Sequence, residues 1–272
     1  MSFIVSAAEN LRRSNRRILV VGPRGTGKTT FSVSASKFAG DTLTGEHREC
    51  SDVLVIQDDN EGVMGAMDAG LSPGMVLDTT DVKDWITYQQ RLVGGLRELQ
   101  SPLTDGTIRV VIIDLSWPAK LIERHVDIKS IADWKLVAAE GASLFRALAG
   151  LKGVTVIGNA QVKASAMIGE DKNQLAVDAS NAKAIGGERS TFTVDLPKGV
   201  GAMWLDNCSF MFAREAKRAR DKSGNPIREY RTLTQSTQKF EAKSRACSKL
   251  AATLPGDRTL HSILKEVYGE NI

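Results

Sequence analysis

The chain has 272 residues, 42% of them apolar, and a formal charge of +4 at neutral pH. That is enough chain to bury a large core in one elaborated domain, and the mild basicity is compatible with an acidic partner such as nucleic acid. Three widely spaced cysteines, Cys50, Cys208 and Cys247, form no Cys-x-x-Cys pair, which excludes a disulfide framework or a zinc knuckle and leaves small buried hydrophobes. No apolar run reaches the roughly 18 residues that span a bilayer, and Glu9, Arg12 and Arg13 interrupt any secretory signal. A soluble cytoplasmic protein with no membrane partner is the expectation, in the host cytoplasm if a phage encodes it.

Residues 1–15 read as a short helix or irregular arm, its arginines either solvated or in contact with nucleic acid or a neighbouring subunit. Residues 18–21 then form a buried strand, followed at once by Gly22-Pro23-Arg24-Gly25-Thr26-Gly27-Lys28-Thr29. This is the complete G-x-x-x-x-G-K-[ST] phosphate loop between a strand and a helix expected over 28–38. Its glycines let the backbone turn N–H groups inward, and the helix dipole adds a favourable field for a polyphosphate. Lys28 is suited to the β and γ phosphates of ATP and the Thr29 hydroxyl to Mg2+, with Thr30 a weaker candidate.

A second buried strand over 52–57 ends in Asp58, Asp59 and Glu61, on the edge where open α/β sheets bind ligands. Glu61, then Asp59, is the candidate for orienting an attacking water, while a plain helix-capping turn is the competing reading. Ser72-Pro73 suggests a turn before a strand over 74–78, and 85–99 has the apolar spacing of an amphipathic helix, with Trp85 and Tyr88 assigned to packing.

The apolar strand 107–114 ends in Asp114, the form of a Walker B element, which makes Asp114 a ligand for Mg2+. No acid follows it directly, so the water-activating role moves to Glu61. His125 is isolated, which excludes a histidine metal site there. A helix over 138–151 leads to a strand over 154–158, after which Asn159 and Gln161 are carboxamides placed to sense a phosphate. The long polar segment 164–189 reads as a loop, and Lys163, Lys172, Lys183 and Arg189 are its candidate contacts to a nucleic-acid backbone. Short strands follow over 203–206, 209–214, 228–233 and 239–242, with a turn at 222–226. They suggest an antiparallel extension of the same sheet. Arg214, Lys217, Arg218 and Arg220 form a basic cluster, and a last helix runs from 259 to 268.

In order and content, residues 16–258 resemble a RecA-type P-loop ATPase, particularly the small phage recombination ATPases that accompany single-strand annealing proteins. The resemblance implies an α/β fold with a RecA-like core: a mostly parallel central sheet, helices on both faces and an antiparallel C-terminal extension, preceded by the arm 1–15 and followed by the helix 259–272. It also implies an ATPase active in recombination or annealing, with Glu61 as catalytic glutamate and Gln161 as phosphate sensor. Lys243 and Arg245 would be a basic finger pair inserted into the neighbouring subunit's site. ATP, Mg2+, single-stranded DNA, a ring or filament of identical subunits and an annealing or single-strand-binding protein are the implied cofactors and partners. A nucleotide-gated assembly or DNA-packaging accessory remains the alternative, with a small-molecule kinase behind it.

Overall fold

Strand β1 (Arg17–Gly22) is buried along its whole apolar length, with Ile18 and Val20 in one core cluster and Leu19 and Val21 in another. A strand enclosed on both faces requires cover on both faces. The computed structural model describes residues 16–166, 177–178, 190–220, 226–236, 242–244 and 250–269, and within these the helices provide that cover. Helices α1 (Lys28–Val33), α2 (Asn60–Asp68) and α8 (Leu260–Tyr268) pack over Ile18 and Val20. Over Leu19 and Val21 lie α3 (Trp85–Glu98) with its short continuation α4 (Gln100–Thr104), α5 (Ser116–Val126), α6 (Asp133–Ala149) and α7 (Lys198–Asn207).

The parallel part of the sheet contains β2 (Arg48–Gln57), β3 (Leu71–Asp78), β4 (Val110–Asp114), β5 (Thr155–Ala166) and β8 (Phe210–Arg220), in the order β8-β1-β5-β4-β2-β3. β5 therefore lies between the strand that leads into the phosphate loop and the strand that ends in Asp114. Register pairs Gly22 with Gln161 and Asp114 with Asn159. Beyond β8 the sheet turns antiparallel through β9 (Pro226–Leu233) and β11 (Thr253–Pro255), and β10 (Lys243–Ser244) also pairs with β8. The far half of β5 pairs antiparallel with β6 (Val177–Asp178) and β7 (Ser190–Val194), in a ladder separate from the main sheet.

The expected α/β fold with a mostly parallel sheet is present, and several local readings change. α1 stops at Val33, not residue 38. Ser34 donates to the Phe31 carbonyl and Ser36 to Asp52, so serine side chains compete with further helical bonds. Ser72 and Pro73 lie inside β3, where an edge position tolerates the missing N–H. Residues 203–206 are helix, not strand. Val200 and Trp204 are four apart and both buried, and Trp204 packs edge-on against Phe145 with ring centroids 5.3 Å apart. β8 runs parallel to β1, so the antiparallel extension starts only at β9.

The segment read as a loop from 164 begins as strand, because β5 continues through Ala166. Most of that segment, the turn at 222–225, residues 239–241 and Cys247 lie outside the described residues. Trp85 and Tyr88 are buried and stacked, as expected of packing residues. Cys50 and Cys208 are buried. No helix among the described residues is long and apolar enough to cross a membrane.

Trp204→Ala is expected to cost roughly 3–5 kcal/mol of unfolding free energy in a urea titration, because it empties a site at the α6–α7 contact. Ile131→Ala, at a side chain 89% exposed, should stay within about 0.5 kcal/mol of wild type.

Candidate functional site

The phosphate loop is closed by its own atoms. Gly25 and Gly27 adopt φ values of 74° and 71°, a left-handed conformation in which a side chain would be strained. Thr26 Oγ1 donates to the Pro23 carbonyl at 2.8 Å, and the Lys28 ammonium donates to the Gly22 and Pro23 carbonyls at 3.0 and 3.1 Å. Burial lowers the Lys28 pKa, with Asp114 acting in the opposite direction. Because α1 is only six residues long, the field at its start comes from little more than one turn.

A cavity of about 270 Å³ opens in front of this loop, lined by residues 24–30 together with Asp59, Glu61, Asp114, Gln161 and Tyr230. Asp114 Oδ1 accepts from the Ser116 N–H at 2.8 Å, and burial raises its pKa. Thr30 is tied by its hydroxyl to the Gly65 carbonyl at 3.2 Å, whereas Thr29 makes no such bond among the described residues. Thr29 Oγ1 lies 2.8 Å from where a Cβ at Gly62 would stand, so a glycine is needed to bring α2 this close.

The three candidate acids separate by position. Asp59 caps α2, accepting from the Gly62 N–H at 3.2 Å, so the helix-cap reading holds for it even as it lines the cavity. Glu61 is exposed in the first turn of α2 and pairs with Arg24 of the phosphate loop at 2.8 Å, closing one side of the cavity mouth. Asp58 turns inward and is absent from the lining. Its Oδ1 accepts from Thr79 Oγ1 at 2.8 Å, its Oδ2 is buried without a partner, and burial pushes its pKa up to about 8.

The two carboxamides also diverge. Asn159 is buried and accepts from Ser32 Oγ at 2.7 Å, which ties β5 to α1, while Gln161 faces the cavity. Neither follows the strand, as the sequence suggested; both lie within β5. Lys163 is further along β5, exposed and paired with Asp195 at 3.2 Å. Lys243 stands in β10 opposite Met211, itself level with Leu19, three positions before the loop along β1. Lys172, Lys183, Arg189 and Arg245 lie outside the described residues.

Two neighbours of the loop escaped the sequence reading. Tyr230, on β9, lines the cavity. Arg214, grouped by sequence with a surface basic cluster, is 2% exposed behind the loop. A signal for it exists: it directly ends the apolar run 210–213, as Asp114 ends β4.

Polyphosphate and Mg2+ fit these residues. The cavity has room for a phosphate chain, Lys28 would supply charge there, and the Thr29 hydroxyl and Asp114 carboxylate would offer two hard oxygens. No group of three or more His, Cys, Asp or Glu side chains suited to a metal occurs among the described residues. The chain matches no protein-family model and no curated protein significantly.

The Asp58 shift carries a sign. Its carboxyl ionises near 3.8 when unfolded and near 8 when folded, so the native state holds the extra proton and loses stability as pH rises between them. Asp58→Asn, which mimics the protonated form, should gain roughly 1–3 kcal/mol over wild type at pH 8 and little at pH 4. Denaturant titrations at the two pH values check this; equal differences at both would contradict it.

Proposed function

We propose that this chain is a Mg2+-dependent ATPase with a RecA-like core that binds single-stranded DNA in phage-type homologous recombination or annealing. The observation that carries the reading is the position of β5. It passes between the phosphate-loop strand and the Asp114 strand, presents Gln161 to the cavity, and continues into the ladder with β6 and β7. A single strand thus joins a γ-phosphate position to the segment proposed to meet DNA.

The roles follow from chemistry. Backbone N–H groups of residues 22–29 and the Lys28 ammonium hold the phosphates, and Thr29 and Asp114 hold Mg2+, which neutralises charge developing on the transferred group. Glu61, at the cavity mouth, orients water once its pairing with Arg24 opens; an exposed pair of this kind is weak and yields to a bound polyanion. Gln161 donates to the terminal phosphate, and its position registers hydrolysis along β5. The neighbouring subunit supplies the completing positive charge from Lys243 or Arg245.

A further feature supports a nucleic-acid partner. Trp134 is 41% exposed at the start of α6, next to Lys135 and near Lys129. An exposed aromatic face of this kind is what base stacking uses, and the sequence of segment 164–189 contains none.

ATP hydrolysis should be stimulated by single-stranded DNA, and Lys28→Ala should lower it about 100-fold or more in both conditions. Trp134→Ala should reduce the DNA-stimulated rate several-fold while sparing the basal rate. Adding Lys28→Ala subunits to inactive Arg245→Ala subunits should restore part of the activity, as expected of a finger acting in trans. Absence of DNA binding at low salt in every nucleotide state would refute the DNA half of the proposal and favour an assembly role.

A further inference from the structure

Arg214 sits where β8 runs alongside β1, and its side chain lies behind the phosphate loop. Its Nη1 donates to Thr232 Oγ1 at 2.5 Å, and both Nη atoms approach the Gly256 carbonyl, at 3.5 and 3.3 Å. The guanidinium stands 4.7 Å over the Phe31 ring and 5.8 Å from the Tyr230 ring. Two loop glycines face it. A Cβ at Gly27 would lie 3.8 Å from Nη2, and one at Gly22 would lie 2.5 Å from the Arg214 carbonyl oxygen.

Every partner of this guanidinium is neutral: a hydroxyl, a carbonyl and two aromatic faces. No carboxylate among the described residues pairs with it, and its Nε is buried without a partner. Burial lowers its pKa to about 10, which leaves it charged at neutral pH. An unpaired buried cation is unfavourable, and an apolar side chain of similar volume is often the more stable choice at such a place. Stability alone therefore does not explain an arginine here. The loop in front of it has the glycines and the strand-to-helix setting that suit an anion.

We infer that Arg214 is a positioning residue for a nucleoside polyphosphate, a fixed positive charge behind residues 22–29 that attracts the phosphates through the loop and stands against Gly27. The inference rests on the nucleotide-binding reading above. Lys28 differs in kind, because its flexible ammonium reaches the cavity and touches phosphate directly. A fixed unit charge acting through partly desolvated protein changes polyphosphate affinity by on the order of tenfold or more.

The test compares wild type, Arg214→Met and Arg214→Lys by calorimetric titration with ATP and with sodium tripolyphosphate, and by thermal melting without ligand. Arg214→Met should bind both probes at least tenfold more weakly while its ligand-free melting temperature is unchanged or raised. Arg214→Lys should bind within about threefold of wild type. Wild-type affinity in Arg214→Met would overturn the inference, as would a folded Arg214→Lys that loses as much as Arg214→Met, the mark of a purely structural role. If Arg214→Met does not fold, Arg214→Lys decides: affinity within threefold of wild type supports the inference and a loss beyond tenfold overturns it. A wild-type chain that binds neither probe removes the nucleotide reading itself, a result distinct from failure of the Arg214 variants alone.

Discussion

The placement of β5 between β1 and β4 is the constraint on which the site depends. Neighbouring strands in a sheet are about 4.8 Å apart, so one intervening strand holds the phosphate loop and Asp114 roughly 10 Å from each other. Gln161, on the intervening strand, lines the cavity in that gap. The spacing is rigid because all three strands are buried on both faces, with Leu19, Val111 and Val156 in one core cluster and Ile18, Ile112 and Ile157 in the other. Shifting any one of the three by one residue would exchange its faces and displace the group it carries, loop, carboxylate or carboxamide, relative to the other two.

Around this gap the protein accumulates buried charge. Lys28 and Arg214 have lowered pKa values and Asp58 and Asp114 raised ones, and in all four burial is the largest cause, acting against the charged form. Groups perturbed in this way cluster where a ligand or a reaction needs them. Here they flank a glycine-rich loop that has already been bent into shape, with Gly25 and Gly27 in the left-handed region. The same burial that destabilises these charges in isolation strengthens any interaction they make with an incoming anion or cation.

The phosphate loop was fully legible in the sequence, because its chemistry resides in eight consecutive residues. The apolar runs of β1, β2 and β4 were legible too, with Asp114 at the end of one, although β2 starts earlier than read, at Arg48, and β4 later, at Val110. The reading weakened wherever pattern and partner disagreed. Met203-Trp204-Leu205 has the look of a short strand, but Val200 and Trp204 find a helix-shaped groove against α6. Asn159 and Gln161 looked equivalent as carboxamides, although one is a strut to Ser32 and the other faces the cavity. Asp58, Asp59 and Glu61, adjacent in sequence, divide into a buried carboxyl, a helix cap and a residue at the cavity mouth.

What the sequence determined by itself is the local part: where the backbone must bend sharply on glycines, which strands are buried, and which strand ends carry an acid. Tertiary structure alone decided which distant side chains surround the loop. Arg214 reads as one of four basic residues near a turn until β8 pairs in parallel with β1, and Tyr230 reads as an ordinary strand residue until β9 pairs with β8. The physical reason is that burial and bending are encoded by neighbours in sequence, whereas convergence on a site depends on strand order. Strand order is set by contacts between segments nearly 200 residues apart.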